Sequence, residues 1–134
     1  MSVPLCCVVL PENLSNGFKK IEGLLSGLNI LKENPFSRTI FYFDVSGKRL
    51  EGNLSDFNEY FESGLINGVQ FWIDESCDVY VGWKECDYGA EFEFYLNGLD
   101  DDDVFSILSE LTKFIWINYR ASYNEGRFFS IGII

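Results

Sequence analysis

The stretch VQFWIDESCDVYVGWKECDYGAEFEFYL, residues 69–96, sets the architecture of this chain. It holds three runs that alternate with a period of two. In VQFWIDE (69–75), Val69, Phe71 and Ile73 share a face; in DVYVGWKE (78–85), Val79, Val81 and Trp83 do; in AEFEFYL (90–96), Phe92, Phe94 and Leu96 do. Period two is the repeat of a pleated strand, so each run presents one wholly apolar side. The links ESC and CDYG are short enough to be hairpin turns. The runs therefore predict an antiparallel meander packed on a core. Its opposite side carries Gln70, Trp72 and Asp74, then Tyr80, Gly82 and Lys84, then Glu91, Glu93 and Tyr95. Large aromatics and carboxylates are mixed there, with a single lysine.

Outward from the meander, PLCCVVL (4–10) is apolar on both alternations and predicts a strand covered on both faces. Phe18, Ile21, Leu25 and Leu28 fall at helical spacing after two capping candidates, Asn13 and Ser15. Residues 38–52, RTIFYFDVSGKRLEG, read as a hairpin turning at Ser46-Gly47, with Phe41, Phe43 and Val45 on one face and Ile40, Tyr42 and Asp44 on the other. A short helix follows, with Ser55 as its expected cap, Leu54, Phe57 and Phe61 as its buried stripe, and Gly64 as its stop. Val104, Leu108, Leu111 and Ile115 mark a longer amphipathic helix that continues to about Tyr119. ASYNEGR (121–127) reads as a polar loop and FFSIGII (128–134) as a last strand. The order β-α-β-β-α-β-β-β-α-β predicts one α+β domain over residues 1–134, a mainly antiparallel sheet packed with about three helices.

Four aspartates, Asp100 to Asp103, stand directly before the third helical stripe. Unpaired N–H groups and the dipole at a helix N-terminus favour anions, so one aspartate is expected as the cap and others in the first turn. The alternating oxygen ligands, Gly and final Glu of a calcium loop are missing. Four acids exceed what a cap needs, and the surplus adds to the field of the whole surface.

That field is strong: 10 Lys and Arg face 21 Asp and Glu, a formal net charge of −11. Nucleic acid and anionic membranes are disfavoured as direct partners, because both are bound by cationic residues. A basic protein, by contrast, would be steered toward this surface. MSVPLCCVVLPEN lacks the basic region of an export signal, and no stretch approaches the ~20 apolar residues of a membrane span, so a cytoplasmic protein is expected. Cys6 and Cys7 are adjacent and would point to opposite faces of a strand; with no C-x-x-C pair and no His, neither a metal nor a cofactor is expected. Both cysteines read as small buried hydrophobes.

Catalysis finds little footing. Without His, the usual Ser and Cys triads are excluded in their common forms. Glu91 and Glu93 face the same way, but alternation on a solvated strand produces such pairs routinely, and no enzyme is expected. Gly-rich phosphate loops do not occur. What remains is binding. Trp72, Tyr80 and Tyr95 have the chemistry of interface anchors, and Asp74, Glu91 and Glu93 that of charges which attract a cationic partner. Asp78, Glu85 and Asp87, with Glu75, would thicken the negative field at the hairpin tips.

A small, strongly acidic α+β chain with no export signal and no catalytic constellation resembles the immunity proteins of bacterial polymorphic toxins, including contact-dependent growth inhibition systems. The resemblance is to the class and transfers no residue position by position. It implies an inhibitor that binds a co-encoded toxin domain, often a basic nuclease, and occludes its active site or an adjacent surface. Two other readings stand beside it. One is an adaptor or regulatory domain with another protein partner. The other is a small-ligand carrier or enzyme built around an apolar pocket between helices and sheet. The sequence leaves the oligomeric state open.

Overall fold

A computed structural model of the chain describes residues 3–122 and 128–134. Among these residues the elements run β1 (Pro4–Leu10), α1 (Leu14–Gly27), β2 (Ile40–Asp44), β3 (Arg49–Gly52), α2 (Leu54–Glu62), β4 (Ile66–Trp72), β5 (Asp78–Cys86), β6 (Gly89–Tyr95), α3 (Asp101–Tyr119) and β7 (Phe129–Ile133). The strands form a single sheet ordered β3-β2-β4-β5-β6-β1-β7, and every neighbouring pair is antiparallel. The fold is α+β, as the alternating runs predict.

The meander β4-β5-β6 forms the middle of the sheet. Its apolar side lines up in register, Val69 opposite Val81, Phe71 opposite Val79, Val81 opposite Phe94 and Trp83 opposite Phe92. The first of its strands lies earlier than the sequence suggests, because Ile73 to Cys77 form the turn. The Asp74 carboxylate accepts the backbone N–H groups of Ser76 and Cys77, each at 2.8 Å, and Ile73 donates to the Cys77 carbonyl at 2.9 Å. An aspartate that bonds its own backbone in this way competes with the ladder and ends the strand.

β1 inserts between β6 and β7. β1 is thus paired along both edges, and the helices cover only one of its two faces. Cys6, Val8 and Leu10 enter the main core; Leu5 and Val9 are buried on the other side, outside that core, with Cys7 half-buried.

All three helices pack on one face. Their buried residues, Phe18, Ile21 and Leu25 of α1, Phe57 of α2, and Ile107, Leu111, Ile115 and Tyr119 of α3, join one side of the strands in a single cluster. Phe18 lies at its centre, with ring centroids 5.2 Å from Trp83, 4.9 Å from Phe61 and 5.9 Å from Phe57. α1 starts at Asn13, whose side chain accepts the Asn16 N–H. α2 starts at Asn53, not Ser55: the Asn53 side chain takes the Asp56 N–H and Asp56 returns the bond, a reciprocal cap that Ser55 inside the first turn cannot make. Leu54, expected in the buried stripe, is accordingly exposed on that first turn. In α3, Asp100 caps through the Asp103 N–H at 2.9 Å, and the buried stripe is rotated so that Val104 and Leu108 are only half-buried. Of the polar loop expected at 121–127, Ala121 and Ser122 lie in a short turn of 3-10 helix; 123–127 fall outside the described residues, as do Met1 and Ser2. Among the described residues, no helix is long and apolar enough to cross a membrane.

Candidate functional site

Because every helix packs on one side, the other side of the sheet carries no helix among the described residues. The strand registers place its side chains in rows. One row runs Leu5, Tyr95, Tyr80, Gln70 from β1 to β4. The next runs Cys7, Glu93, Gly82, Gly68, Phe43, Arg49 from β1 to β3. A third is Val9, Glu91, Lys84.

The two glycines in the second row explain the surface. With no side chain at Gly68 or Gly82, a slot opens across adjacent strands, and the Tyr80 ring lies down in it. A Cβ built at Gly68 would stand 1.9 Å from the Tyr80 hydroxyl oxygen, and one at Gly82 would stand 3.4 Å from the ring. An aromatic laid over a strand glycine restores the contact the glycine lacks. Phe43 meets Tyr80 edge-on at 4.9 Å and Tyr95 does so at 5.2 Å, making a line of three rings across the sheet. Burial, with Tyr95 and Glu93 adding, pushes the Tyr80 hydroxyl up to about 12, so it stays protonated. Tyr95 is raised by burial and then by the Glu93 charge.

Charges around the rings are partly paired. The Arg49 guanidinium sits 4.0 Å above the centre of the Phe41 ring and its Nε donates to Gln70 Oε1 at 3.0 Å. Gln70 Nε2 in turn donates to Asp78 Oδ2 at 2.9 Å, a relay that joins β3, β4 and β5 and passes over β2. Lys84 pairs with Glu91 at 3.0 Å. Glu93 has no hydrogen bond or ion pair among the described residues; its charge helps raise the Cys7 thiol, after burial, and so keeps that thiol protonated.

Of the nine residues expected to bind a partner, Tyr80, Glu91, Glu93 and Tyr95 come together on this face. Asp78 lies at its margin, held by Gln70. Trp72 does not serve as an exposed anchor: it is 7% exposed. Leu31 pairs with it beyond the end of β2, accepting and donating backbone bonds at 2.6 and 3.0 Å, and Phe41 packs edge-on against its ring at 5.8 Å. Asp74 belongs to the turn and not to the face. Glu85 and Asp87 stand at the far end of β5, which at ~3.4 Å per residue is roughly 27 Å away. Successive turns of a meander lie at opposite ends, so the hairpin-tip acids divide into two groups. The chain before α3 adds to the first: a Cβ at Gly98 would stand 2.6 Å from the Asp78 carbonyl oxygen, and burial followed by the charges of Asp100, Asp102 and Asp74 raises the Asp103 carboxyl.

Phe43, Arg49 and Gln70 complete the face. Phe41 and Phe43 were legible as one side of a strand, but which side met the core was not, since Ile40 and Tyr42 make the alternate side equally apolar. No group of three His, Cys, Asp or Glu among the described residues is arranged to hold a metal. Comparison with protein-family models, with curated proteins and with solved structures finds no match for this chain.

Proposed function

We propose that the chain is a cytoplasmic immunity-type protein that docks a basic toxin domain on its helix-free sheet face and neutralises it by occlusion, without catalysis. One observation carries this: a line of half-buried rings, Phe43, Tyr80 and Tyr95, stands beside the Glu93 carboxylate, which makes no hydrogen bond or ion pair among the described residues, on a face that no described helix covers. Rings held by edge-to-face contacts lose little entropy on binding, and a carboxylate at their margin favours a cationic partner. A carrier of small ligands needs interior volume, whereas the space between helices and sheet is filled by Phe18, Phe57, Phe71, Phe92 and Phe94.

On this reading a toxin domain is encoded beside the chain, and co-expression of the two tests the proposal. The chain should restore growth. Glu93→Lys combined with Tyr95→Ala should abolish protection while circular dichroism stays unchanged. Failure of the unaltered chain to protect, or full protection by the folded double variant, overturns the reading; capture of a partner that is not a toxin assigns the face to an adaptor instead.

A further inference from the structure

Arg49 is an exposed side chain at the β3 end of the docking face, and it is fixed there on two sides. Its guanidinium lies 4.0 Å above the centre of the Phe41 ring, and that ring is itself held edge-on by Trp72 at 5.8 Å. Its Nε donates to Gln70 Oε1 at 3.0 Å, and Gln70 is anchored in turn by Asp78 at 2.9 Å. What remains is the pair of Nη groups at the tip of the fork. Among the described residues neither makes a hydrogen bond or an ion pair. Their parallel N–H donors match the two oxygens of a carboxylate.

The rest of the chain shows what such a group meets elsewhere. Lys20 lies over the Tyr119 ring and Lys32 over the Phe57 ring, and each closes on a carboxylate, Glu12 and Glu22. Lys84, on the same face as Arg49, closes on Glu91. Arg49 has the ring without the acid. Glu51, two residues along β3, accepts the Thr39 hydroxyl at 2.6 Å instead, and Asp78 reaches Arg49 only through the Gln70 amide.

Resting on the reading of this face as a docking site, we infer that Arg49 is a preset carboxylate receptor that takes an Asp or Glu side chain of the docked toxin domain. Arg49 and Glu93 belong to one row, four strand spacings or roughly 19 Å apart across the sheet, with Phe43 and Tyr80 between them. The face is therefore bipolar. Its net charge of −11 draws basic partners in general, but one that is basic throughout is repelled at Arg49. The cation thus selects partners that bring an acid to that point, and it fixes their orientation on the sheet. Because stacking and the Gln70 bond already hold the fork, little side-chain entropy is lost when the acid arrives.

Two measurements test this. In the free chain, acetate serves as the carboxylate probe, titrated against the arginine side-chain signals by heteronuclear NMR, with sodium chloride at matched ionic strength as the control. The Arg49 signals should shift at lower acetate than those of Arg38 and Arg120, and Gln70→Ala, which releases the fork, should remove the preference. Against the toxin domain, Arg49→Gln should raise Kd by roughly ten- to a hundredfold, mostly through faster dissociation. Arg49→Lys, which keeps the charge and loses the fork, should not restore it. Arg49→Glu should abolish binding, and replacing one toxin aspartate or glutamate by lysine should bring it back. Arginines that all answer acetate alike overturn the inference, as does an Arg49→Gln variant that binds as tightly as the parent or tighter; the toxin reading then stands or falls on the parent chain alone. A parent chain that binds no toxin while Arg49 still answers acetate first overturns the toxin reading and assigns the receptor to the carboxylate of another partner.

Discussion

Tyr80 occupies a place that two glycines on neighbouring strands leave for it, and the docking face is built around that one ring. A methyl at Gly68 would overlap the hydroxyl and the ring carbon that bears it, at 1.9 and 2.4 Å. The ring can swing away, but only by giving up its contacts with Phe43 and Tyr95. Gly68→Ala is therefore expected to destabilise the fold by about 1–3 kcal/mol, the usual cost of overpacking, read from urea unfolding. The cost should largely vanish in a Tyr80→Ala background, where alanine is the better strand residue of the two. Additive effects of the two substitutions would mean that the ring does not depend on the slot. Alternation in the sequence put Tyr80, Tyr95, Glu91 and Glu93 on a common face. It could not show that Trp72, in phase with them, is covered, because Leu31 and Phe41 reach it from segments whose neighbours depend on strand order.

Elements whose side-chain period was unbroken were legible in outline, and their ends were less so. The cap of α2, expected at Ser55, falls at Asn53 through a reciprocal bond with Asp56 that spacing alone permits but does not single out. The run of aspartates before α3 divides in the same way: Asp100 caps, and Asp101 to Asp103 occupy the first turn. The dipole favours anions there, yet burial first and the Asp100 charge second raise the Asp103 carboxyl from its ordinary 3.8. A carboxyl raised on folding holds its proton more tightly in the native state, so stability falls as pH rises from 3.8 through the folded value and the cost persists above it. Asp103→Asn should thus stabilise at neutral pH by about 0.2–0.5 kcal/mol, the size of a relieved like-charge pair. Asp101 and Asp102 remain to serve the dipole. In acid, with the carboxyls protonated in both states, thermal melts of the variant and the parent should converge. A loss of stability at neutral pH would show that the dipole outweighs the repulsion.

Across the whole molecule, composition gave the size of the negative charge, while topology decided where it stands. Among the described residues, four lysines form ion pairs, Lys20 with Glu12, Lys32 with Glu22, Lys84 with Glu91 and Lys113 with Glu110. Most of the carboxylate excess is thus left over: some stands at the two ends of the meander, some around β2, β3 and α2, and Glu93 stands on the docking face. Those ends are separated by roughly 27 Å along β5, about three screening lengths at physiological salt. At low salt they act together to draw in a basic partner; at contact only the nearest charges matter. On the proposed reading, Glu93→Lys should slow association and also speed dissociation, by on the order of tenfold or more, because it stands beside the docked rings. Asp101→Lys, at the acidic end, should slow association alone, and its effect should fade as salt is raised. Stopped-flow association and dissociation rates at two ionic strengths separate the cases. Dissociation accelerated equally by Asp101→Lys would move the partner from the sheet face to the acidic end, where Asp74, Asp100 and Asp103 meet.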